Sequence, residues 1–341
     1  MNSDILLELK NIKKYFPVTE GLFRRTTGTV KAVDDVSLFV RRGETLGLVG
    51  ESGCGKTTLG KTIVRIFDPT MGQMNYSFDD KGFTNLLTLN RQESFSARKK
   101  IQMVFQDPYS SLNPVKTIQA AFDEPMRVHG LGDAAARRRR TAELLESVNM
   151  LGAYMYRYPH EFSGGQLQRI CIARALCVEP ELVVCDEPVS ALDVSIQAQV
   201  LNLMKDLQRT MNLTYIFIAH DLSVVEYMSN RIAVMYLGRI AELAGAAEIY
   251  SGYRHPYTRA LLSAVPIPAI GAKKQRVILE GDVPSPIDPP KGCRFHTRCA
   301  FCQEICREKE PELLPQPGNP AHYVACHFSE TLYKTPGWKV N

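Results

Sequence analysis

The chain has 341 residues, of which 45% are hydrophobic and 23% charged, a composition typical of a folded protein with one large domain and an appendage. Its 41 basic and 36 acidic residues give a net charge of +5, too small an excess to indicate nucleic acid, and we expect no nucleic-acid partner. No apolar run approaches the ~20 residues of a membrane-spanning helix, and the first residues lack the pattern of a secretory signal, so we expect a cytosolic chain.

Residues 5–250 alternate short apolar runs with amphipathic helical patterns. This alternation predicts an α/β fold in which helices cover both faces of a sheet. Three runs have the character of fully buried strands, at residues 45–49, 182–185 and 215–219. Each ends at a polar residue, at the edge where open α/β sheets bind their ligands.

The first of these strands leads into a glycine-rich loop that matches G-x-x-x-x-G-K-[ST], and a helical pattern over residues 58–66 follows it. In such a loop the backbone N–H groups converge on phosphate oxygens, and the helix N-terminus adds positive potential. We expect Lys56 to neutralise the outer phosphates and the Thr57 hydroxyl to bind Mg²⁺. The sequence therefore predicts a nucleotide site formed by Gly50, Glu51, Ser52, Gly53, Cys54, Gly55, Lys56, Thr57 and Thr58.

The apolar run at residues 182–185 ends at two acidic residues. We expect Asp186 to serve the Mg²⁺ ion and Glu187 to be the general base that activates the attacking water. Two acids at a strand end often do no more than face water. The phosphate-binding loop elsewhere in the chain is what favours the catalytic interpretation.

Between residues 114 and 160 helical stretches such as residues 134–148 replace the strand signal, which indicates a helical subdomain inserted into the sheet domain. Beyond residue 256 prolines are closely spaced, and five of the nine cysteines lie between Cys293 and Cys326. This composition predicts an irregular C-terminal extension that is held by something other than a large apolar core. The prolines are Pro266, Pro268, Pro284, Pro286, Pro289 and Pro290.

The run Phe162-Ser163-Gly164-Gly165-Gln166 resembles the LSGGQ-type signature of ABC ATPases, which separates that family from other P-loop proteins. Ser163 suits the N-cap of a following helix, so the signature is a second anion site. The resemblance covers residues 5–250 and includes the family's other elements in the expected order. These are a Q-loop glutamine at Gln106 after a strand at 101–105, a D-loop at 190–193, and a switch histidine at His220.

The resemblance implies that the nucleotide is ATP and that Ser163, Gly164, Gly165 and Gln166 contact ATP held by an opposite subunit. It also implies catalytic roles for Glu187, His220 and Gln106, with Gln106 serving Mg²⁺ beside Thr57, and it places Asp193 in the D-loop.

Family members stack the adenine ring on an aromatic residue from the first strand. Tyr15 and Phe16 are the two candidates, and the spacing from Asn11 favours Phe16. The segment 17–30 has the character of an insertion before the sheet resumes. The resemblance further implies an ABC ATPase domain at residues 1–255, with a helical subdomain at about 107–178, and an extension at 256–341.

Residues 107–114, residues 255–258 and the tail resemble the oligopeptide/dipeptide/nickel importer branch of ABC transporters, and residues 235–239 resemble the second, F-type ATPase of such pairs. This resemblance implies a peripheral subunit on the cytoplasmic face of the membrane. Its partners would be a second homologous ATPase, two integral-membrane permeases and an extracytoplasmic substrate-binding protein. Di- or oligopeptides are the expected cargo, with nickel chelates or glutathione-like molecules as alternatives. A soluble ABC ATPase fits less well, because the chain has one cassette and no sustained heptads, and an exporter ATPase does not fit the tail.

The clustered cysteines do not have the C-x₂-C…C-x₂-C spacing of a zinc ribbon. Four thiolates on an irregular loop suit either Zn²⁺ or a [4Fe–4S] cluster, and thiols without a metal are a third possibility. The resemblance implies that Cys293, Cys299, Cys306 and Cys326 hold a structural [4Fe–4S] cluster, with Zn²⁺ as the alternative. It leaves Cys302 as the extra cysteine.

Overall fold

The computed structural model describes residues 4–20, 25–78, 82–265, 277–335 and 338, so Pro266 and Pro268 lie outside the described residues. The strands are β1 Ile5–Glu20, β2 Arg25–Arg41, β3 Thr45–Val49, β4 Met71–Tyr76, β5 Thr84–Asn85, β6 Ile101–Val104, β7 Leu182–Asp186, β8 Thr214–Ile218, β9 Arg231–Tyr236, β10 Arg239–Gly245, β11 Leu314–Gln316 and β12 Asn319–Val324. The helices are α1 Lys56–Ile63, α2 Arg91–Lys100, α3 Pro108–Ser111, α4 Ile118–Val128, α5 Ala134–Ser147, α6 Gly164–Leu176, α7 Val194–Met211, α8 Leu222–Met228, α9 Ala246–Gly252, α10 Pro256–Ser263, α11 Glu304–Glu308 and α12 Ser329–Tyr333. Short 3₁₀ helices span Gly152–Tyr156, Pro159–Glu161 and His296–Arg298. In these described ranges, no helix combines the length and apolar character needed to cross a membrane.

The chain divides into two compact units. The first unit contains Met1–Leu7, Val40–Thr45 and Asn75–Ala219, and the second contains Glu8–Phe39, Leu46–Met74 and His220–Asn341. Strands and helices occur in both units, as the α/β prediction requires.

The first unit contains three neighbouring parallel strands, β6, β7 and β8, in which Ile101 and Thr214 both pair with Leu182. Every residue of β7 and β8 is buried, as expected for parallel strands covered on both faces. The same unit contains α4 and α5, whose apolar side chains Phe122 and Leu145 are fully buried. Helix α5 begins at Ala134, where the helical pattern in the sequence begins, because the side chain of Asp133 accepts a hydrogen bond from the Ala136 N–H.

In the second unit, five of the described strands are neighbours in the order β11-β12-β10-β9-β3. Strand β3 is parallel to β9, whereas β10 runs antiparallel to both β9 and β12. Strand β12 belongs to the C-terminal extension, so this extension contains more regular structure than its proline content predicts. Two of the ladder pairs between β10 and β12 are Glu242 with Val324 and Leu243 with Tyr323.

Strand structure extends into the segment 17–30, because β1 continues to Glu20 and β2 begins at Arg25, so the sheet resumes earlier than the sequence predicts. Residues 21–24 lie outside the described residues. The helix after the glycine-rich loop, α1, begins at Lys56, two residues earlier than its sequence pattern predicts. It ends at Ile63, and Arg65 then adopts the left-handed conformation (φ 60°), which cannot continue a helix.

Near the end of the chain an indole ring anchors the extension within the second unit. Trp338 is only 3% exposed, and its ring N–H donates to the Tyr253 carbonyl at 3.0 Å. The Tyr253 hydroxyl donates in return to the Trp338 carbonyl at 3.3 Å, and Phe301 packs edge-on against the indole.

Candidate functional site

The phosphate-binding loop lies in the second unit, between β3 and α1, and two of its glycines have no room for a side chain. A Cβ atom on Gly50 would lie 2.1 Å from the Met235 carbonyl oxygen, and one on Gly55 would lie 2.0 Å from the Ala32 carbonyl oxygen. Both glycines have positive φ values, 152° at Gly50 and 109° at Gly55. Backbone cannot yield as a flexible side chain does, so the loop curls tightly only with glycine at these two positions.

Lys56 is buried and its ammonium group points at the loop itself. Lys56 Nζ donates to the carbonyls of Gly50 at 2.7 Å and Glu51 at 3.0 Å, and it lies 3.7 Å from Cys54 Sγ. The ammonium group of Lys56, which we expect to contact phosphate oxygens, is therefore hydrogen-bonded here to the loop's own carbonyls. Burial raises the pKa of the Cys54 thiol although Lys56 opposes this, so Cys54 is a packed thiol at neutral pH.

Glu51 makes contacts that the sequence did not predict. Its carboxylate receives two hydrogen bonds from Arg298 in the extension, at 2.7 and 3.1 Å, and its backbone N–H donates to the Tyr257 hydroxyl at 2.8 Å. Arg298 lies 247 residues further along the chain. No local pattern indicates a contact over such a separation.

The two adenine candidates have different surroundings. The Tyr15 hydroxyl donates to Asp34, and burial together with this hydrogen bond raises the pKa of Tyr15 to about 12. Phe16 has no polar group to satisfy, and its ring packs edge-on against Phe67 with the ring centroids 5.3 Å apart. Lys14 Nζ lies 4.9 Å from the centre of the Phe16 ring.

Asp34, the partner of Tyr15, belongs to an ionic cluster beside the loop. Burial disfavours its charge, but the hydrogen bond from Tyr15 and the guanidinium groups of Arg239 and Arg294 hold the pKa of Asp34 below its ordinary value. Arg294 also donates to the Leu237 carbonyl at 3.2 Å. The turn formed by Leu237 and Gly238 contacts the phosphate-binding loop, because the Gly238 N–H donates to the Cys54 carbonyl at 2.9 Å.

Two of the predicted catalytic residues meet in the first unit. Gln106 Nε2 donates to Glu187 Oε2 at 2.9 Å, although the residues are 81 positions apart in the sequence. Glu187 follows β7 with a positive φ of 47°, which is uncommon for a residue other than glycine. Its N–H donates to the Ile218 carbonyl at 2.9 Å, which fixes this turn against the end of β8. Asp186 ends β7 and is 3% exposed.

The signature also lies in the first unit, at the start of α6. Ser163 and Gln166 form a capping box: the Gln166 side chain accepts from the Ser163 N–H at 3.0 Å, and the Ser163 hydroxyl accepts from the Gln166 N–H at 3.4 Å. Gly165 packs so closely on Ile196 of α7 that a Cβ atom would lie 2.5 Å from Ile196 Cγ2. The D-loop residue Asp193 is exposed at the start of α7.

The segment after Gln106 packs on the signature helix. Arg174 donates to the Ser111 carbonyl at 2.8 Å, and the Cys171 thiol lies 3.7 Å from the Pro108 carbonyl oxygen. The Q-loop segment and the signature are therefore joined by packing within one unit. His220, the predicted switch histidine, lies in the second unit just after β8 and is exposed.

Four of the five clustered cysteines line one small cavity of the second unit, and Cys302 does not line it. The lining cysteines are Cys293, Cys299, Cys306 and Cys326, together with aromatic side chains that include Phe295, Phe301 and Phe328. The sequence Cys-x-Phe occurs three times here, and in the third the Phe328 N–H donates to Cys326 Sγ at 3.4 Å. In all three, the backbone N–H of the phenylalanine acts to lower the pKa of the cysteine two residues earlier.

The four cysteine sulfurs of this cavity are donors of the kind that both Zn²⁺ and iron–sulfur clusters use. N–H donation to sulfur stabilises the thiolate form that binds metal. Burial nevertheless raises the pKa of Cys293 and Cys326 to about 12 and of Cys299 to about 11, so metal binding here must release protons. A zinc ion needs sulfurs at about 2.3 Å from one point. In the part of the chain that the structure describes, no three Cys, His, Asp or Glu side chains are arranged to hold a single metal ion.

Comparison with known proteins places these features in one family. The family model of ABC transporters matches residues 33–190, and that of the oligopeptide/dipeptide transporter C-terminal region matches residues 241–306. The chain is 53% identical over 329 residues to the oligopeptide transport ATP-binding protein AppF of Bacillus subtilis, covering 96% of this chain and 98% of that protein. It is 50% identical over 308 residues to the dipeptide transport ATP-binding protein DppF of Haemophilus influenzae, covering 90% and 92%.

A solved structure confirms the predicted fold. It is a dimeric ATP-binding cassette in a post-hydrolysis state bound to ADP and Pi, with a TM-score of 0.61 and 27% identity, covering 71% of this chain and 99% of that one. With the phosphate-binding loop, the signature and the C-terminal region all present, the chain belongs to the ABC transporter ATP-binding proteins, in the group that carries the oligopeptide/dipeptide transporter C-terminal region.

Proposed function

We propose that the chain is the ATP-hydrolysing subunit that energises import of di- or oligopeptides across the cytoplasmic membrane. The ATPase part follows from membership of the family, and the observation that carries it at the level of residues is the hydrogen bond between Gln106 and Glu187. That contact holds a carboxylate and an amide together at the end of β7, where a water molecule can be oriented and deprotonated.

Each residue has a role that follows from its chemistry. The loop N–H groups and Lys56 bind phosphate oxygens, and for this the Lys56 ammonium leaves the carbonyls of Gly50 and Glu51. Thr57, Asp186 and Gln106 serve Mg²⁺, and Glu187 accepts the proton of the attacking water. His220 faces the γ-phosphate, which it can stabilise as a hydrogen-bond donor.

The signature serves a second nucleotide. Because Ser163 and Gln166 already satisfy each other in the capping box, the remaining donors at the start of α6 are free to face an anion bound by an opposite subunit. We therefore propose that this chain works in a pair with a homologous ATPase, with Asp193 of the D-loop at the interface.

The ATPase assignment is tested by Glu187→Gln in the assembled complex. Removing the general base is expected to lower the ATP hydrolysis rate by about 100-fold or more while ATP binding is kept. Glu146→Gln, an exposed residue of α5, makes the same chemical change away from the site and serves as the control. Wild-type hydrolysis by Glu187→Gln would refute the role given to this carboxylate.

The transport assignment is supported by the relatives. The names of AppF and DppF specify oligopeptide and dipeptide transport, which favours peptides over nickel chelates or glutathione-like cargo. Two permeases, a second ATPase and an extracytoplasmic binding protein are the partners this function needs, and they would hold the chain at the cytoplasmic face of the membrane. Purification of the chain from gently solubilised native membranes should recover two multi-span proteins and a second ATPase in equal amounts. Recovery of the chain alone or with ribosomes would contradict the transport assignment.

We further propose that Cys293, Cys299, Cys306 and Cys326 hold a [4Fe–4S] cluster that folds the extension. The cavity shared by the four cysteines supports this proposal. The cluster is favoured over Zn²⁺ because, among the described residues, no three such side chains are arranged to hold one metal ion. We also propose an ABC ATPase domain at residues 1–255 and an extension at 256–341, and separate matches to the ABC model at 33–190 and the C-terminal model at 241–306 support two regions. The helical subdomain proposed at about 107–178 is supported by the helices α3, α4, α5 and α6.

A further inference from the structure

We propose that Arg298 and Tyr257 are positioning residues for the phosphate-binding loop, so that ATP affinity depends on the C-terminal extension. The inference rests on the proposed ATPase function and adds a role for the extension at the nucleotide site. It is carried by contacts that all lie within the second unit.

The first contact is an ion pair at the second residue of the loop. Both terminal nitrogens of Arg298 reach the two carboxylate oxygens of Glu51, at 2.7 and 3.1 Å, which is the paired geometry in which arginine holds a carboxylate most firmly. The Arg298 side chain is 8% exposed and that of Glu51 is 27% exposed. The pair is therefore screened from water much more than an ordinary surface salt bridge.

The second contact fixes the backbone of the same residue. The Glu51 N–H donates to the Tyr257 hydroxyl at 2.8 Å, and Tyr257 is fully buried at the start of α10. Glu51 is thus held through its side chain by one part of the extension and through its backbone by another. The N–H of Glu51 is directed at Tyr257, which leaves phosphate binding to the N–H groups that follow it in the loop.

An aromatic cluster holds the two positioning residues in place. The ring of Phe295 lies 5.4 Å from that of Tyr257 and 5.3 Å from that of Tyr236, measured between ring centroids. Phe295 immediately precedes the 3₁₀ helix His296–Arg298, so its packing sets where the Arg298 guanidinium lies. A shift of this helix moves the guanidinium away from Glu51.

The position of the Arg298 guanidinium affects nucleotide binding because Glu51 carries a negative charge. A carboxylate in the phosphate-binding loop repels a triphosphate, and the repulsion grows where water is excluded. Arg298 neutralises this carboxylate. Removal of the partner of a partly buried charge leaves that charge uncompensated.

Four full-length proteins test the inference: wild type, Arg298→Gln, Glu51→Gln and the double variant. The measurement is the Kd of ATP by calorimetric titration in EDTA, which prevents hydrolysis. Arg298→Gln is expected to weaken ATP binding by about tenfold, because it leaves the Glu51 charge facing the phosphates. In the Glu51→Gln background the same change is expected to alter Kd by less than about twofold. Arg307→Gln removes an exposed arginine of the same extension and is the matched control.

The pattern of the four Kd values separates positioning from simple loss of folding. An extension that unfolds in Arg298→Gln would weaken ATP binding equally in both backgrounds, and that result would overturn the inference. Equal Kd values for wild type and Arg298→Gln would also overturn it. A wild-type chain that binds no ATP would instead refute the proposed function.

Tyr257→Phe tests the backbone contact separately. This variant removes the acceptor of the Glu51 N–H and keeps the ring, so weaker ATP binding is expected whether residue 51 is Glu or Gln. A Kd equal to that of the wild type would remove Tyr257 from the proposal.

Discussion

Tyr15 and Phe16 are neighbours in the sequence, but their rings have different surroundings. The Tyr15 hydroxyl donates a hydrogen bond to Asp34, whereas the Phe16 ring packs against Phe67 and lies near the ammonium group of Lys14. Spacing along the first strand places both aromatics near the same site. The contact with Asp34 depends on the fold and favours Phe16 as the residue that stacks on adenine.

Substitution of Phe16 is expected to affect ATP binding, whereas substitution of Tyr15 is expected to affect stability. Phe16→Ala should weaken ATP binding by about tenfold, the cost of losing one base–aromatic stack, and Phe16→Tyr should retain most of the affinity. Tyr15→Phe should leave ATP affinity within about twofold and lower the unfolding temperature, because Asp34 loses a hydrogen-bond donor. Titration with ATP and thermal unfolding measure the two effects. A tenfold loss of affinity in Tyr15→Phe would reverse the assignment.

His129 provides a pH-dependent test in the first unit. Its ring stacks on Phe95 with the centroids 4.5 Å apart, and burial, with a smaller contribution from Lys99, lowers the pKa of His129 from its ordinary value near 6.5. The unfolded chain therefore takes up this proton more readily, so stability falls as pH drops below 6.5. His129→Gln should lose less stability than the wild type between pH 7 and pH 5.5 in urea unfolding. Parallel pH profiles would contradict the argument.

The residues of the expected nucleotide site could be named from the sequence because the motifs are contiguous. The loop from Gly50 to Thr58 can be recognised because its glycines, lysine and helix start lie within nine positions. The pairing of Glu51 with Arg298 could not be predicted, since it depends on how a distant 3₁₀ helix packs. The inward direction of the Lys56 side chain is likewise a property of the folded loop.

At the scale of elements, the start of α6 shows why the two signature glycines differ. A Cβ atom on Gly164 would have its nearest neighbours at 3.6 and 3.8 Å, which is ordinary contact, whereas one on Gly165 would clash with Ile196. The glycine at 165 is therefore required by the packing of α6 on α7. The glycine at 164 is not required for packing.

Alanine at each position separates the two cases. Gly165→Ala is expected to destabilise the protein by about 1–3 kcal/mol through overpacking. Gly164→Ala is expected to be neutral or to stabilise by up to about 1 kcal/mol, because alanine favours a helix. Chemical unfolding measures both, and Ile196→Ala should recover most of the stability of Gly165→Ala. Equal destabilisation at 164 and 165 would contradict the packing argument.

The strands of the C-terminal extension could not be predicted from the sequence. Strand β12 has the sequence Asn-Pro-Ala-His-Tyr-Val, which has neither a regular alternation nor an apolar run. Its pairing with β10 is stabilised by the buried carboxylate of Glu242, which bonds to His322 at 2.7 Å. The contact between Glu242 and His322 depends on the folded structure and cannot be recognised from the sequence. The sequence therefore predicted an irregular C-terminal extension.

At the scale of the whole molecule, the proposed cluster in the cysteine cavity has consequences for the stability of the extension. Cluster assembly should give about four irons and four sulfides per anaerobically purified chain. Removal of iron with a chelator and mild oxidant should lower the unfolding temperature and open the extension to trypsin near the exposed Arg307 and Lys309. The readouts are iron and sulfide analysis, thermal unfolding and the cleavage pattern. One zinc per chain with no sulfide would refute the cluster.

The variant Cys302→Ser is the control for this prediction. Cys302 does not line the cavity that the other four cysteines share, so its replacement should leave the iron content unchanged. Cys299→Ser should reduce the iron content. Equal iron loss in both variants would mean that the ligand set is wrongly assigned.

The anchored Trp338 has a consequence for anyone who shortens this protein. Its indole bonds to Tyr253 and packs on Phe301, which itself lines the cysteine cavity. A version trimmed before residue 338 would expose the rings of Tyr253 and Phe301. Because Phe301 lines the cysteine cavity, the packing around that cavity would become less stable. Affinity tags are therefore better joined at the amino end, and a proteolytic fragment that has lost Trp338 is a poor choice for crystallisation.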